Sequence, residues 1–120
     1  MKILIAEDEP VMLMAIEAKL RNEGYEVTAA KDGSEALQAI EFSTPDLIIT
    51  DILMPYTSGL ELISIVKSTA NKNIPVIVLS GLGQEETVLE AFQLGADDFL
   101  TKPFNPVELS LRVKRLLKIK

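Results

Sequence analysis

Three short apolar runs punctuate the chain, Ile3 to Ala6, Leu47 to Thr50 and Val76 to Ser80, each of strand length and each bounded by acidic, proline or turn residues. They are continuous rather than alternating, the pattern of strands buried on both faces, so a parallel sheet covered by helices on either side is expected. Tyr25 to Ala30 and Asp98 to Thr101 read as weaker strands nearer the sheet edges. Helical spacing fills the gaps. Pro10 suits a first helical position, and Leu13, Ile16 and Leu20 follow it up to Gly24. Ala36, Leu37 and Ile40 mark a second helix ending before Pro45, and Leu62, Ile63 and Val66 a third after Gly59. Val88, Ala91 and Phe92 mark a fourth that stops at Gly95; Leu109, Val113 and Leu116 mark a fifth. That fifth helix opens on Asn105-Pro106-Val107-Glu108, which has the spelling of a capping box. Strands alternating with helices call for a single doubly wound (βα)5 domain of the α/β class, spanning residues 1–120 with no linker or repeat.

Composition narrows the chemistry more than the fold. The 120 residues include no Cys and no His. Disulfides, thiolate nucleophiles, zinc ribbons and histidine bases are thereby excluded. Whatever this chain does must run on carboxylates, hydroxyls, amines, backbone groups and borrowed ions. The first apolar run is too short for a signal peptide, and no run approaches a membrane span, so a cytoplasmic protein without membrane contact is expected. The net charge of −6 argues against direct nucleic-acid binding by this domain. It is unevenly spread: residues 1–111 hold all 18 acids and 7 bases, whereas Arg112, Lys114, Arg115, Lys118 and Lys120 make a basic tail.

In open parallel sheets, ligands bind beyond the carboxyl ends of the strands, where strand order reverses. Glu7, Asp8 and Glu9 follow the first strand, Asp51 ends the third, Ser80 ends the fourth, and Thr101-Lys102-Pro103 follows the fifth. Lys31-Asp32-Gly33, after the second, reads only as a turn. If the first and third strands are neighbours, Glu7, Asp8 and Asp51 gather at one edge. Two carboxylates about 4 Å apart repel by roughly 4 kcal/mol at an effective dielectric near 20, so three together demand a cation or raised pKa values. Lys102 supplies one charge, and an all-oxygen donor set suits Mg²⁺ better than zinc. The set fits phosphoryl transfer, with Asp51 as nucleophile, Lys102 as phosphate clamp and Ser80 as hydroxyl donor.

These stretches resemble the receiver domain of two-component response regulators, the chemotaxis type being its minimal version. The matching segments are Ile3-Leu4-Ile5-Ala6-Glu7-Asp8-Glu9-Pro10, Asp46 to Pro55 with Gly59, Pro75 to Ser80, and Gly95 to Phe104. The resemblance covers essentially the whole chain and implies a flavodoxin-like sheet with strand order 2-1-3-4-5. It implies further that Asp51 is the phosphoacceptor, that Asp8, Asp51 and the backbone carbonyl of Leu53 bind Mg²⁺ directly, and that Glu7 acts through water. Ser80 would bond the phosphoryl group, Lys102 would pair with it across a cis bond to Pro103, and Phe99 would follow Ser80. A phosphoryl group on Asp51 would then draw Ser80 and its loop inward and change the surface of the fourth helix, fifth strand and fifth helix.

The implied partners are a sensor histidine kinase or histidine phosphotransfer protein and a downstream effector or output domain. Leu53 and Leu82 occupy positions that, in this family, govern water's access to the phospho-aspartate. Both are apolar, so slow self-dephosphorylation is expected. The basic fifth helix reads either as an ordinary solvated face or as a partner surface, including a homodimer in which Glu86 and Glu90 meet its cations. Asp97-Asp98 reads as a cap or turn, Asp32-Gly33 and Gly59 as turn chemistry, and Met12, Met14 and Met54 as core or lip packing.

Two enzyme-like readings fit less well. A haloacid-dehalogenase-like phosphatase would need a second Asp two residues after Asp51, where Leu53 stands. A flavodoxin would need a hydroxyl-rich loop after the first strand, where acids stand instead. No glycine-rich Lys-Ser/Thr loop for nucleotides is present. A receiver cut from a larger DNA-binding transcriptional regulator remains an alternative to a free-standing one.

Overall fold

A computed structural model describes every residue except 55, 70, 72, 119 and 120, so Pro55 of the third-strand motif and Lys120 of the basic tail lie outside the described residues. Five strands, β1 (Lys2–Ala6), β2 (Glu26–Ala30), β3 (Leu47–Asp51), β4 (Val76–Ser80) and β5 (Asp98–Thr101), alternate with five helices. The helices are α1 (Pro10–Asn22), α2 (Gly33–Phe42), α3 (Gly59–Lys67), α4 (Glu85–Leu94) and α5 (Pro106–Leu117). All pairings are parallel, in the order β2-β1-β3-β4-β5.

The continuous apolar runs are the three central strands. Alternate residues feed two cores: Leu4, Ile48, Val76 and Val78 pack with α2, α3 and α4, while Ile3, Ile5, Ile49, Ile77 and Leu79 pack with α1 and α5. The weaker runs are the edge strands, whose outer residues Thr28, Ala29, Phe99 and Thr101 are exposed.

Caps set where the helices begin. Glu9 accepts from the amides of Val11 and Met12, Asp32 from Glu35, Ser58 from Glu61, and Asn105 from Val107. Each such bond satisfies an orphan amide and stabilises by about 1 kcal/mol. Asp32-Gly33, expected as a mere turn, is therefore a helix start. The capping box of α5 forms only by half, because Glu108 turns away from the cap to pair with Arg112 at 3.1 Å.

Several expectations about side chains need correction. Met14 lies outside the core at 67% exposure, since it falls on the solvent side of α1 opposite Leu13 and Ile16. Asp98 is neither cap nor turn. It is a buried β5 residue whose carboxylate takes Arg112 at 2.7 Å and Arg115 at 2.7 Å. Asp97 ties the opposite end of the sheet together, accepting from the Val76 amide at 2.8 Å and from Lys67 at 3.1 Å. Gly59 opens α3 rather than making a free turn.

Candidate functional site

The site lies at the carboxyl edge of the sheet, where β1 and β3 are adjacent and their connections leave in opposite directions. Backbone bonds place its residues. The Glu7 amide donates to Ala30 of β2, Ile52 to Leu79 of β4, and Lys102 to Ser80. In register, Ala6 faces Thr50 and Asp51 faces Leu79, so Glu7 and Asp51 emerge side by side from neighbouring strands.

Carboxylate oxygens of Glu7, Asp8 and Asp51 all lie within 4.8 Å of one another. Lys102 Nζ sits between two of these groups, 2.7 Å from Glu7 Oε1 and 2.9 Å from Asp51 Oδ2. Glu7 is fully buried, Asp51 is 8% exposed, and Asp8 is open to solvent. The contact of Glu7 Oε1 with Lys102 is a charge contact rather than an aligned hydrogen bond, so this buried oxygen lacks a hydrogen-bond donor among the described residues. Glu7 Oε2 accepts from the Glu9 amide at 3.1 Å.

Burial pushes the Glu7 carboxyl up to about 7, against the pull of Lys102 and the Glu9 amide and with help from the neighbouring Asp51 charge. Burial also opposes the charge on Lys102, yet Glu7 and Asp51 outweigh it and hold the ammonium above its ordinary value. One ammonium thus pairs with two of the three carboxyl groups. A fully buried carboxyl pushed up by its burial, two neighbouring acids and an all-oxygen donor set make this a place where a hard divalent cation fits.

Of the other expected residues, Ser80, Leu82 and Phe99 line a cavity against α4 that none of the three acids nor Lys102 lines. Ser80 Oγ lies 3.5 Å from the Leu100 carbonyl, at the limit of a hydrogen bond. Phe99 is turned outward at 38% exposure, packed edge-to-face on Phe92 with ring centres 5.9 Å apart. Leu53 and Leu82 are exposed, and the Lys102–Pro103 peptide is cis. Gln84 escaped the sequence reading, and Glu9, Gly59 and Phe92 were read without the roles they have here, as a strand-end acid, a turn and a helix-face residue. Of these, Glu9 had a readable signal, an acidic residue directly before a helix-opening proline.

Comparison with known proteins agrees with this geometry. The response regulator receiver domain family model matches residues 3–114. Response regulator RR06 of Streptococcus pneumoniae serotype 2 is 43% identical over 118 residues, covering 98% of this chain and 54% of that protein. The alkaline phosphatase synthesis transcriptional regulatory protein PhoP of Bacillus subtilis is 36% identical, with 98% and 48% covered. The chain therefore spans about half the length of these curated relatives. The crystal structure of the receiver domain of NtrX from Brucella abortus superposes with a TM-score of 0.92 at 34% identity, covering 98% of this chain and 99% of that one. Sequence, sheet order and the strand-end carboxylate cluster converge: this chain belongs to the response regulator receiver domain family of two-component systems.

Proposed function

We propose that Asp51 accepts a phosphoryl group from a histidine on a partner protein, a sensor kinase or a phosphotransfer protein. The observation that carries the proposal is the Asp51 carboxylate, nine-tenths buried, held by Lys102 beside two further acids. In the transfer, an Asp51 oxygen forms the O–P bond as the N–P bond of the donor breaks, and the imidazole keeps the electron pair. The donor histidine must lie outside these 120 residues, which contain none. Lys102 is poised to pair with the new phosphoryl oxygens. Asp8, Asp51 and the Leu53 carbonyl would hold Mg²⁺, with Glu7 reaching it through water. When bound, that ion neutralises phosphoryl charge during transfer.

The modification then acts as a switch. Ser80, loosely held by Leu100, is free to turn toward a phosphoryl oxygen, and Phe99 follows. The face of α4, β5 and α5 changes for a partner: an output domain, a separate effector or a second copy of the chain. Acidic Glu86 and Glu90 on α4, basic Lys114 on α5 and Lys118 just past its end would suit a two-fold pairing. This reading makes the protein a phosphoacceptor and not an enzyme turning over external substrates. A cytoplasmic setting goes with it, because ATP-derived phosphoryl groups are made there. Among the described residues no helix is long and apolar enough to cross a membrane.

Incubation with a small phosphodonor and Mg²⁺ should raise the intact mass by one phosphoryl group, and Asp51→Asn should abolish that gain. Retention of the label in Asp51→Asn would reject Asp51 as acceptor, and many external phosphoesters cleaved per protein would favour the phosphatase reading.

A second expectation concerns lifetime. Neither exposed Leu53 nor exposed Leu82 can orient an attacking water. Decay of the phosphoprotein in Mg²⁺ should take many minutes, and Leu53→Asn should hasten it. A wild-type lifetime of seconds would contradict this.

A further inference from the structure

The switch reading leaves open what holds the unphosphorylated arrangement in place, and two contacts not used so far answer that. Gln84 is the N-cap residue of α4, yet its side chain makes no bond to that helix's first amides. Its Oε1 accepts instead from the Gly81 amide. Gly81 directly follows Ser80, and the Ser80 hydroxyl has only the long contact to Leu100. The Ser80 carbonyl is held by the Lys102 amide, and the side-chain restraint on the loop that follows lies in Gln84 rather than in the serine hydroxyl. Gly81 has no side chain with which to hold the loop, and Gly83, at φ +83°, gives it freedom to rearrange.

The second contact is at Phe99. Its ring is exposed, although a cavity of about 380 Å³ opens beside it, lined by Ser80, Leu82, Val88 and Leu89 among others. Phe99 and Phe92 themselves line this open cavity, so the ring has space to turn along it. What meets it there is Phe92, in the third turn of α4, with the two rings perpendicular at 89°.

We propose that α4 and its N-cap residue latch the unphosphorylated state at two points: Gln84 holds the amide beside Ser80, and Phe92 holds the ring of Phe99. Both contacts end on one helix. Displacement of the Ser80 loop pulls on the α4 N-terminus, and displacement of α4 withdraws Phe92 from Phe99. Phe92 and Gln84 are positioning residues that set the ratio of the two states before any phosphoryl group arrives. A net hydrogen bond or an edge-to-face ring pair each shifts such a ratio by roughly two- to tenfold.

The inference rests on the switch role of Phe99 proposed above, and the test separates the two. Full-length protein labelled with fluorophenylalanine is followed by fluorine NMR at the Phe99 signal. Wild type without and with Mg²⁺ and beryllium fluoride, a phosphoryl mimic, gives the two end positions. Gln84→Ala and Phe92→Leu, both without the mimic, are each expected to move the signal toward the mimic-bound position, with a two- to tenfold rise in that state. Phe92→Tyr, which keeps the ring, should stay at the wild-type position. Gln84→Ala and Phe92→Leu signals that remain at the wild-type position would overturn the latch, while wild type still responds to the mimic. A wild-type signal that ignores the mimic would instead remove the switch role of Phe99, and the latch with it.

Discussion

Gly59→Ala should lower the unfolding free energy by about 3 kcal/mol, at the upper end of what overpacking costs. A Cβ built on Gly59 would stand 2.0 Å from the Asp51 carbonyl oxygen and 2.8 Å from Ile52 Cα. Both obstacles are backbone, so no rotamer change can relieve them. The Gly59 amide also donates to the Ile52 carbonyl at 2.8 Å, which ties the start of α3 to the end of β3. Either the helix or the strand end must move, and the strand end carries Asp51. Urea unfolding of the variant should therefore show a large loss of stability together with a slower gain of phosphoryl mass. Gly24→Ala is the control. It has a positive φ of +94° but nothing within 4 Å of the new atom, so it should cost only about 1 kcal/mol. Equal losses for the two variants would show that the close approach at Gly59 is not what the site depends on.

Lys102→Ala should cost about 3 kcal/mol at pH 8 in metal-free buffer and markedly less at pH 5.5. Removing one partner of a buried pair strands the other charge. Here the stranded group is Glu7, fully buried and already raised to about 7 from an ordinary 4.5. Without the ammonium its folded-state pKa climbs further. A carboxyl whose folded pKa exceeds its unfolded value contributes stability that is present below about 4.5 and lost as pH rises through the folded value. The deficit against wild type must therefore widen from acid to alkaline pH. Adding Glu7→Gln to Lys102→Ala should return most of the loss at pH 8. A deficit that is the same at both pH values, or one that Glu7→Gln leaves untouched, would show that Glu7 is not the group Lys102 compensates.

The parts of this fold that could be read from the chain are those in which one residue type has one outcome. Ile48 and Ile49 are apolar in succession because β3 is covered on both faces, and that demand is visible without coordinates. Asp51, Ser80 and Lys102 could be placed because strand ends in a parallel sheet share one edge. What escaped depends on partners far along the chain. Gly59 matters through a carbonyl on β3, and nothing in its neighbours reveals that approach. Asp98 sits beside Asp97 and shares its chemistry, yet one faces α5 and the other the base of α3, because successive strand residues point to opposite faces. Phe92 fits the apolar spacing of α4 but lies at its outer margin, where only the ring of Phe99 gives it a role.

The buried carboxylate of Asp98 changes how the tail should be regarded from outside. Arg112 and Arg115 both lean on it, and Arg112 on Glu108 as well, so these two arginines are answered by two carboxylates within the chain. The exposed cations left among the described residues of the tail are Lys114 and Lys118, while Leu89, Phe92, Phe99 and Leu111 stand exposed on α4, β5 and α5. A partner that docks on those elements would be selected by short-range fit and contact pairs more than by far-field steering, which physiological salt screens beyond about 8 Å.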